Sequence, residues 1–68
     1  MRMKTRDIIK AIISAGWFEA RTTSSHKHFK HPTHPGLVTI PMHGGADVKI
    51  AVVKSIERQS GVKLRREG

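Results

Sequence analysis

Apolar residues along this chain recur with a period that changes twice. From Thr5 to Ala15, Ile8, Ile9, Ile12 and Ile13 fall at the three- and four-residue spacing of a helix face, with Arg6, Asp7, Lys10 and Ser14 around the rest. This predicts an amphipathic helix with Thr5 as N-cap, Asp7 in the first turn and Gly16 as a left-handed stop. Beyond Gly16 the period drops to two. Trp17 to Thr22 has the aromatic and β-branched content of a strand, Thr22-Thr23-Ser24-Ser25 allows a turn, and His26 to Lys30 forms a second strand around Phe29. Lys30-His31-Pro32-Thr33-His34-Pro35-Gly36 reads as a loop, because proline withholds a ladder donor and Gly36 accepts a positive φ. Leu37 to Met42 is a third strand, with Val38, Ile40 and Met42 on one face and Pro41 at its end or at an edge. After a flexible His43-Gly44-Gly45-Ala46 connection the helical period returns, with Ile50, Val52, Val53 and Ile56 as the apolar arc and Lys54 and Arg58 on the polar side. Asp47 is the expected cap of this second helix and Gly61 its stop, and residues 63–68 are expected to fray.

The order helix, strand, strand, strand, helix predicts a single α+β domain over residues 1–68. A three-stranded antiparallel sheet with both helices on one face buries both apolar arcs and leaves the other face open. This α-β-β-β-α layout resembles the double-stranded-RNA-binding-like folds. Alternation along the second strand puts His26, His28 and Lys30 on one side and Lys27 and Phe29 on the other. With Phe29 inward, the two histidines face outward.

Composition narrows the function classes. Sixty-eight residues without cysteine exclude disulfides and thiolate zinc sites, so the core is expected to rest on Trp17, Phe18, Phe29 and the aliphatics. Thirteen Lys and Arg against five Asp and Glu leave a formal charge of +8, which calls for an anionic partner. Nucleic acid is the first candidate, ahead of a membrane surface or an acidic protein. No apolar stretch is long enough to span a bilayer and none resembles a leader, so a cytoplasmic protein without a membrane partner is expected.

His26 and His28 carry the candidate chemistry. Two apart on a strand, they lie roughly 6 to 7 Å from each other on one face. That separation can bracket a phosphodiester: one imidazole takes the proton of a ribose 2′-hydroxyl, the other protonates the leaving oxygen, and nearby lysines offset charge on the phosphate. Phosphate contact without catalysis fits the same residues. Zinc is a further option, since His26, His28, His31, His34 and His43 make a histidine-rich chain. Against it stand the scarcity of acids to complete a shell, with only Glu19 and Asp47 as candidates, and the positive surroundings.

Gly16-Trp17, Arg21, Ser25-His26, Phe29, His31-Pro32, Pro35-Gly36-Leu37-Val38-Thr39-Ile40-Pro41, Asp47 and Lys54-Ser55-Ile56 resemble, in order and spacing, the HicA (YcfA-like) mRNA interferase toxins. The resemblance runs from about Met3 to Val62. It implies a toxin that cleaves mRNA as a metal-independent ribonuclease without a cofactor, with His26 as the catalytic residue and a HicB antitoxin covering the active face. Ser25, Lys27, His28 and Lys30 are then the candidates for RNA binding or transition-state support. Three positions depart from the family pattern: Ser24 replaces the glycine before Ser-His, Lys27 replaces a frequent second histidine, and Lys49 replaces a frequent proline. Two other readings use the same basic face, a non-catalytic RNA-binding module and a structural partner of an acidic chain.

Overall fold

The computed structural model describes residues 2–23, 25–42 and 47–65, apart from the side chain of Arg2. The chain forms β1 (Arg2–Lys4), α1 (Thr5–Ser14), β2 (Phe18–Thr22), β3 (His26–Lys30), β4 (Val38–Pro41), β5 (Asp47–Lys49) and α2 (Ile50–Ser60). Strands β2, β3 and β4 make a three-stranded antiparallel sheet in sequence order. The expected α-β-β-β-α, α+β arrangement is therefore present. Ile8 and Ile12 of α1 and Val53 and Ile56 of α2 are fully buried with Phe29, Val38 and Ile40 of the sheet, so both helices cover the same sheet face. Each of these side chains contributes about 1.5–3 kcal/mol by leaving water.

Two short strands were not expected. β1 and β5 pair antiparallel, with Met3 opposite Val48 and Lys4 opposite Asp47, and each runs directly into a helix. This ladder replaces the caps read from the sequence. Thr5 is the first residue inside α1 and is buried, whereas Asp47 lies in β5 and α2 begins three residues later. Lys4 and Lys49 occupy the N-cap positions, and neither makes a side-chain capping bond. A lysine there leaves helix amides without a local acceptor and opposes the helix dipole. Lys49→Asp supplies a capping carboxylate at a position already extended (φ −65°, ψ 149°). It is expected to stabilise the protein by about 1 kcal/mol and to raise the melting temperature by about 4–8 °C. A melting temperature unchanged or lowered would show that the ladder needs lysine at this position.

The segment after α2 is better anchored than its charge suggests. Gly61 adopts the left-handed conformation (φ 73°) and its N–H donates to the Glu57 carbonyl at 2.8 Å, ending the helix as expected. Buried Ser60 donates to the Ile56 carbonyl (2.7 Å) and accepts the Val62 N–H (3.0 Å). Leu64 then reaches the core, and one oxygen of Glu57 accepts the N–H groups of Leu64 and Arg65 while the other accepts Arg65 Nε. Residues 63–65 are thus docked rather than frayed, and residues 66–68 lie outside the described residues.

The same bonds make this clasp sensitive to acid. The Arg65 and Leu64 amides, followed by the Arg65 side chain, hold the Glu57 carboxyl down to about 2 from its usual 4.5. Because its folded-state value is depressed, its contribution is complete above about 4.5 and is lost as the pH falls from there towards 2. Thermal melts of the parent are expected to drop more steeply through this window than those of Glu57→Gln. Parallel curves for the two proteins would contradict the assignment.

Candidate functional site

The sheet face turned away from the helices is organised in cross-strand rows. β3 pairs Lys30 with Phe18, His28 with both Arg21 and Thr39, and His26 with Pro41. The intervening rows, Glu19–Phe29–Val38 and Thr22–Lys27–Ile40, belong to the helix-covered side, where Phe29, Val38 and Ile40 are buried. Alternation on β3 follows the expectation because a single large apolar residue, Phe29, fixes which side is inward.

His26 opens β3 immediately after the β2–β3 turn. Its N–H donates to Thr23 Oγ1 (3.1 Å), and its carbonyl accepts both the Thr23 N–H (2.8 Å) and the Thr23 hydroxyl (3.1 Å). The Met42 N–H donates to the preceding Ser25 carbonyl at 2.6 Å, so the residue that follows β4 clamps the turn from the other side. Ser25 Oγ stands 3.0 Å from His26 Nδ1, fixing the imidazole whichever of the two holds the shared proton. Ser24 lies outside the described residues, so its replacement of the family glycine carries no structural account.

His28 is held in the same manner by a different hydroxyl. Its Nδ1 is 3.0 Å from Thr39 Oγ1, and Thr39 is tied to α2 by its N–H, which donates to Gln59 Oε1 (3.0 Å). Gln59 Nε2 donates in turn to Ser55 Oγ at 3.1 Å. The Thr39 amide therefore points out of the sheet edge to a side-chain acceptor, and Pro41, two residues on, has no N–H to present there. The two ring centroids lie 6.5 Å apart with planes inclined by 25°, and both side chains are half-buried.

The remaining expected site residues divide between the two faces. Ser25, His26, His28 and Lys30 come together on or beside the open face. Lys27 does not: it pairs with Glu19 at 3.2 Å on the opposite side of the sheet edge. Thr22 donates a short hydrogen bond to Glu19, and this bond, followed by Lys27, lowers the Glu19 carboxyl below its usual range. Among the described residues no acid lies on the open face, since Asp7 is on α1, Asp47 on β5, Glu57 on α2 and Glu19 beside Lys27.

The other described histidines serve the scaffold. His31 Nδ1 accepts the Thr33 N–H at 3.1 Å, which leaves Nε2 to carry the proton and donate to the Ala15 carbonyl, also at 3.1 Å. The ring meets buried Trp17 edge-on at 5.2 Å, and His34 packs on Trp17 at 5.1 Å. Gly16 makes this corner possible. Its φ of +99° suits glycine, and a Cβ there would stand 2.7 Å from His31 Nε2. Among the described residues no group of three or more His, Asp or Glu is placed to hold a metal ion. His43 lies outside them.

Three features of the face escaped the sequence reading. Phe18, assigned to the core, is half exposed on the open face because its partner is Lys30 rather than Phe29. Thr39 and Gln59 carry no periodic signal that marks them as supports of His28. Arg21 enters the face only through an irregularity in β2 that alternation alone does not reveal.

The described residues thus form a small α+β domain that presents two positioned imidazoles beside Arg21 and Lys30 on one sheet face. Residues 5–62 match the family model of the HicA toxin of bacterial toxin-antitoxin systems, and the chain belongs to this family. It is accordingly a toxin of a toxin-antitoxin system, with an antitoxin as its partner. No curated protein matches the chain at the level required of a relative. No helix among the described residues is long and apolar enough to cross a membrane.

Proposed function

We propose that this HicA toxin is an endoribonuclease that cleaves mRNA in the cytoplasm, with His26 as general acid or base. The observation that carries the reading is the pair of imidazoles 6.5 Å apart, each fixed through Nδ1 by a hydroxyl, on a face without acids among the described residues. Two such groups can divide the proton transfers of an attack by the ribose 2′-hydroxyl on the adjacent phosphorus. One receives the hydroxyl proton as the new P–O bond forms, and the other gives a proton to the departing 5′-oxygen. The Ser25 hydroxyl holds the His26 ring, and Thr39 holds that of His28. Lys30, on the same face, offsets the charge of the RNA backbone beside them. Lys27 supports the strand through Glu19 and reaches RNA only along the sheet edge. No cofactor or metal ion enters this scheme. The antitoxin is proposed to be HicB-like and to silence the toxin by covering the open face with acidic side chains.

Controlled expression tests this reading in cells. Parent protein is expected to arrest growth and deplete full-length mRNA, while His26→Ala at equal abundance does neither. Arrest by both variants alike would refute the role of His26. A non-catalytic RNA-binding module is the second reading, favoured by the exposed Phe18 beside Lys30. It predicts RNA binding that survives His26→Ala and forms no product.

A further inference from the structure

The irregularity in β2 alters what the open face can bind. Glu19 opposes Phe29, and the next paired residue, Arg21, opposes His28, so Ala20 is an extra residue in the ladder. Regular alternation would send Ala20 to the open face and Arg21 back to the helix-covered side. The bulge instead brings both to His28. Arg21, His28 and Lys30, with Ala20 and Leu37, line an open depression of about 260 Å³ on this face. Alanine at the extra position keeps the depression unfilled, and two cations with an imidazole at its border suit an anion of phosphate size.

We infer that the Ala20 bulge builds a phosphate subsite from Arg21 and Lys30, bordered by His28, which holds the phosphate next to the one attacked between His26 and His28. The inference rests on the ribonuclease reading for the source of the phosphate, an RNA backbone running along β3. A strand with one phosphate between His26 and His28 meets Arg21 and Lys30 next along β3, at the depression. Arg21 presents a fork of donors to the non-bridging oxygens, whereas Lys30 acts as a point charge. Phe18, opposite Lys30 and 50% exposed, offers a ring on which the base of that nucleotide stacks. Arg21 is thus a binding residue placed by the bulge, one that sets the register of the RNA on the two histidines.

The test uses the full chain with two probes, inorganic phosphate followed by amide NMR and a fluorescent single-stranded RNA followed by anisotropy over a salt series. Phosphate is expected to shift the amides of residues 21, 28 and 30 in the parent, with the shifts lost in Arg21→Gln. For RNA, Arg21→Gln is expected to bind roughly tenfold more weakly, with the salt slope reduced by about 0.7. Phe18→Ala weakens binding without changing the slope, because stacking releases no counterion. Lys54→Gln, which removes a charge from α2 on the far side of the sheet, leaves affinity and slope close to the parent values. The subsite is overturned if phosphate perturbs none of the three amides, or if Arg21→Gln binds RNA with the parent affinity and slope. Cleavage by the parent together with unaltered binding by Arg21→Gln would remove the subsite and leave the ribonuclease reading intact. Phosphate capture at Arg21 by a protein that never cleaves RNA would support the subsite and remove the ribonuclease reading.

Discussion

His26→Ala is expected to lower the rate of RNA cleavage by about 10²–10⁴-fold, the usual yield of a positioned acid or base. The loss should appear in the rate at saturating RNA rather than in affinity. Alanine removes the proton carrier but leaves Arg21 and Lys30, which supply charge on the face. His28→Ala is expected to produce a loss of the same kind. In the double variant the losses should not multiply, because two groups that share one proton-transfer scheme act as a unit. Single-turnover kinetics of the three variants check this. If His28→Ala weakens binding alone and leaves the saturated rate intact, His28 belongs to the phosphate subsite and not to the chemistry.

Phe29→Ala is expected to abolish the folded state at 37 °C. Phe29 is fully buried, the largest such side chain among the described residues, and lies at the centre of the three-stranded sheet between Glu19 and Val38. Truncating a buried phenylalanine costs about 3–5 kcal/mol. A chain of this length has roughly 3–10 kcal/mol in total. The residue also specifies which way β3 faces, so its loss removes the reason for His26 and His28 to be turned outward. Circular dichroism and amide dispersion of the purified variant test the expectation. A cooperative melt within a few degrees of the parent would contradict it. Gly16→Ala acts on the same scaffold from the Trp17 corner, where a Cβ would press on His31.

These two residues also mark how far the sequence was legible. Phe29 stands among histidines and lysines, so inward and outward positions on β3 could be assigned from alternation. The helices were legible because Ile8, Ile12, Val53 and Ile56 repeat at helical spacing. Their starting points were not. Arg2-Met3-Lys4 and Asp47-Val48-Lys49 each place one apolar residue between two charged ones, and they become strands only by pairing with each other across most of the chain. Tertiary pairing therefore decided what Thr5 and Asp47 do, against their capping preference. Charge also misled at the C-terminal end, where Leu64 and the Glu57 clasp outweigh the polarity of their neighbours.

The open face was legible in the placement of its two histidines and not in its boundaries. His26 and His28 follow from residue type and alternation, whereas Arg21 and Phe18 depend on the register of β2. A bulge shifts every later residue to the other face without leaving a mark in composition. Ala20, small and unremarkable in the sequence, is the residue that turns Arg21 towards the open face. The family match over residues 5–62 shows the toxin class and carries no residue role with it. The arrangement on the open face adds how this chain would hold a backbone.

The most direct measurement of the central claim is the chemistry of the products. Purified protein is incubated, with EDTA throughout, with a single-stranded RNA and with the same strand carrying deoxyribose at the cleaved position. The account predicts cleavage of the all-ribose strand to fragments with 5′-hydroxyl ends and no cleavage at the deoxyribose, since the 2′-hydroxyl is the nucleophile. Equal cleavage of both strands, 5′-phosphate ends, or cleavage only after a divalent cation is added would contradict it.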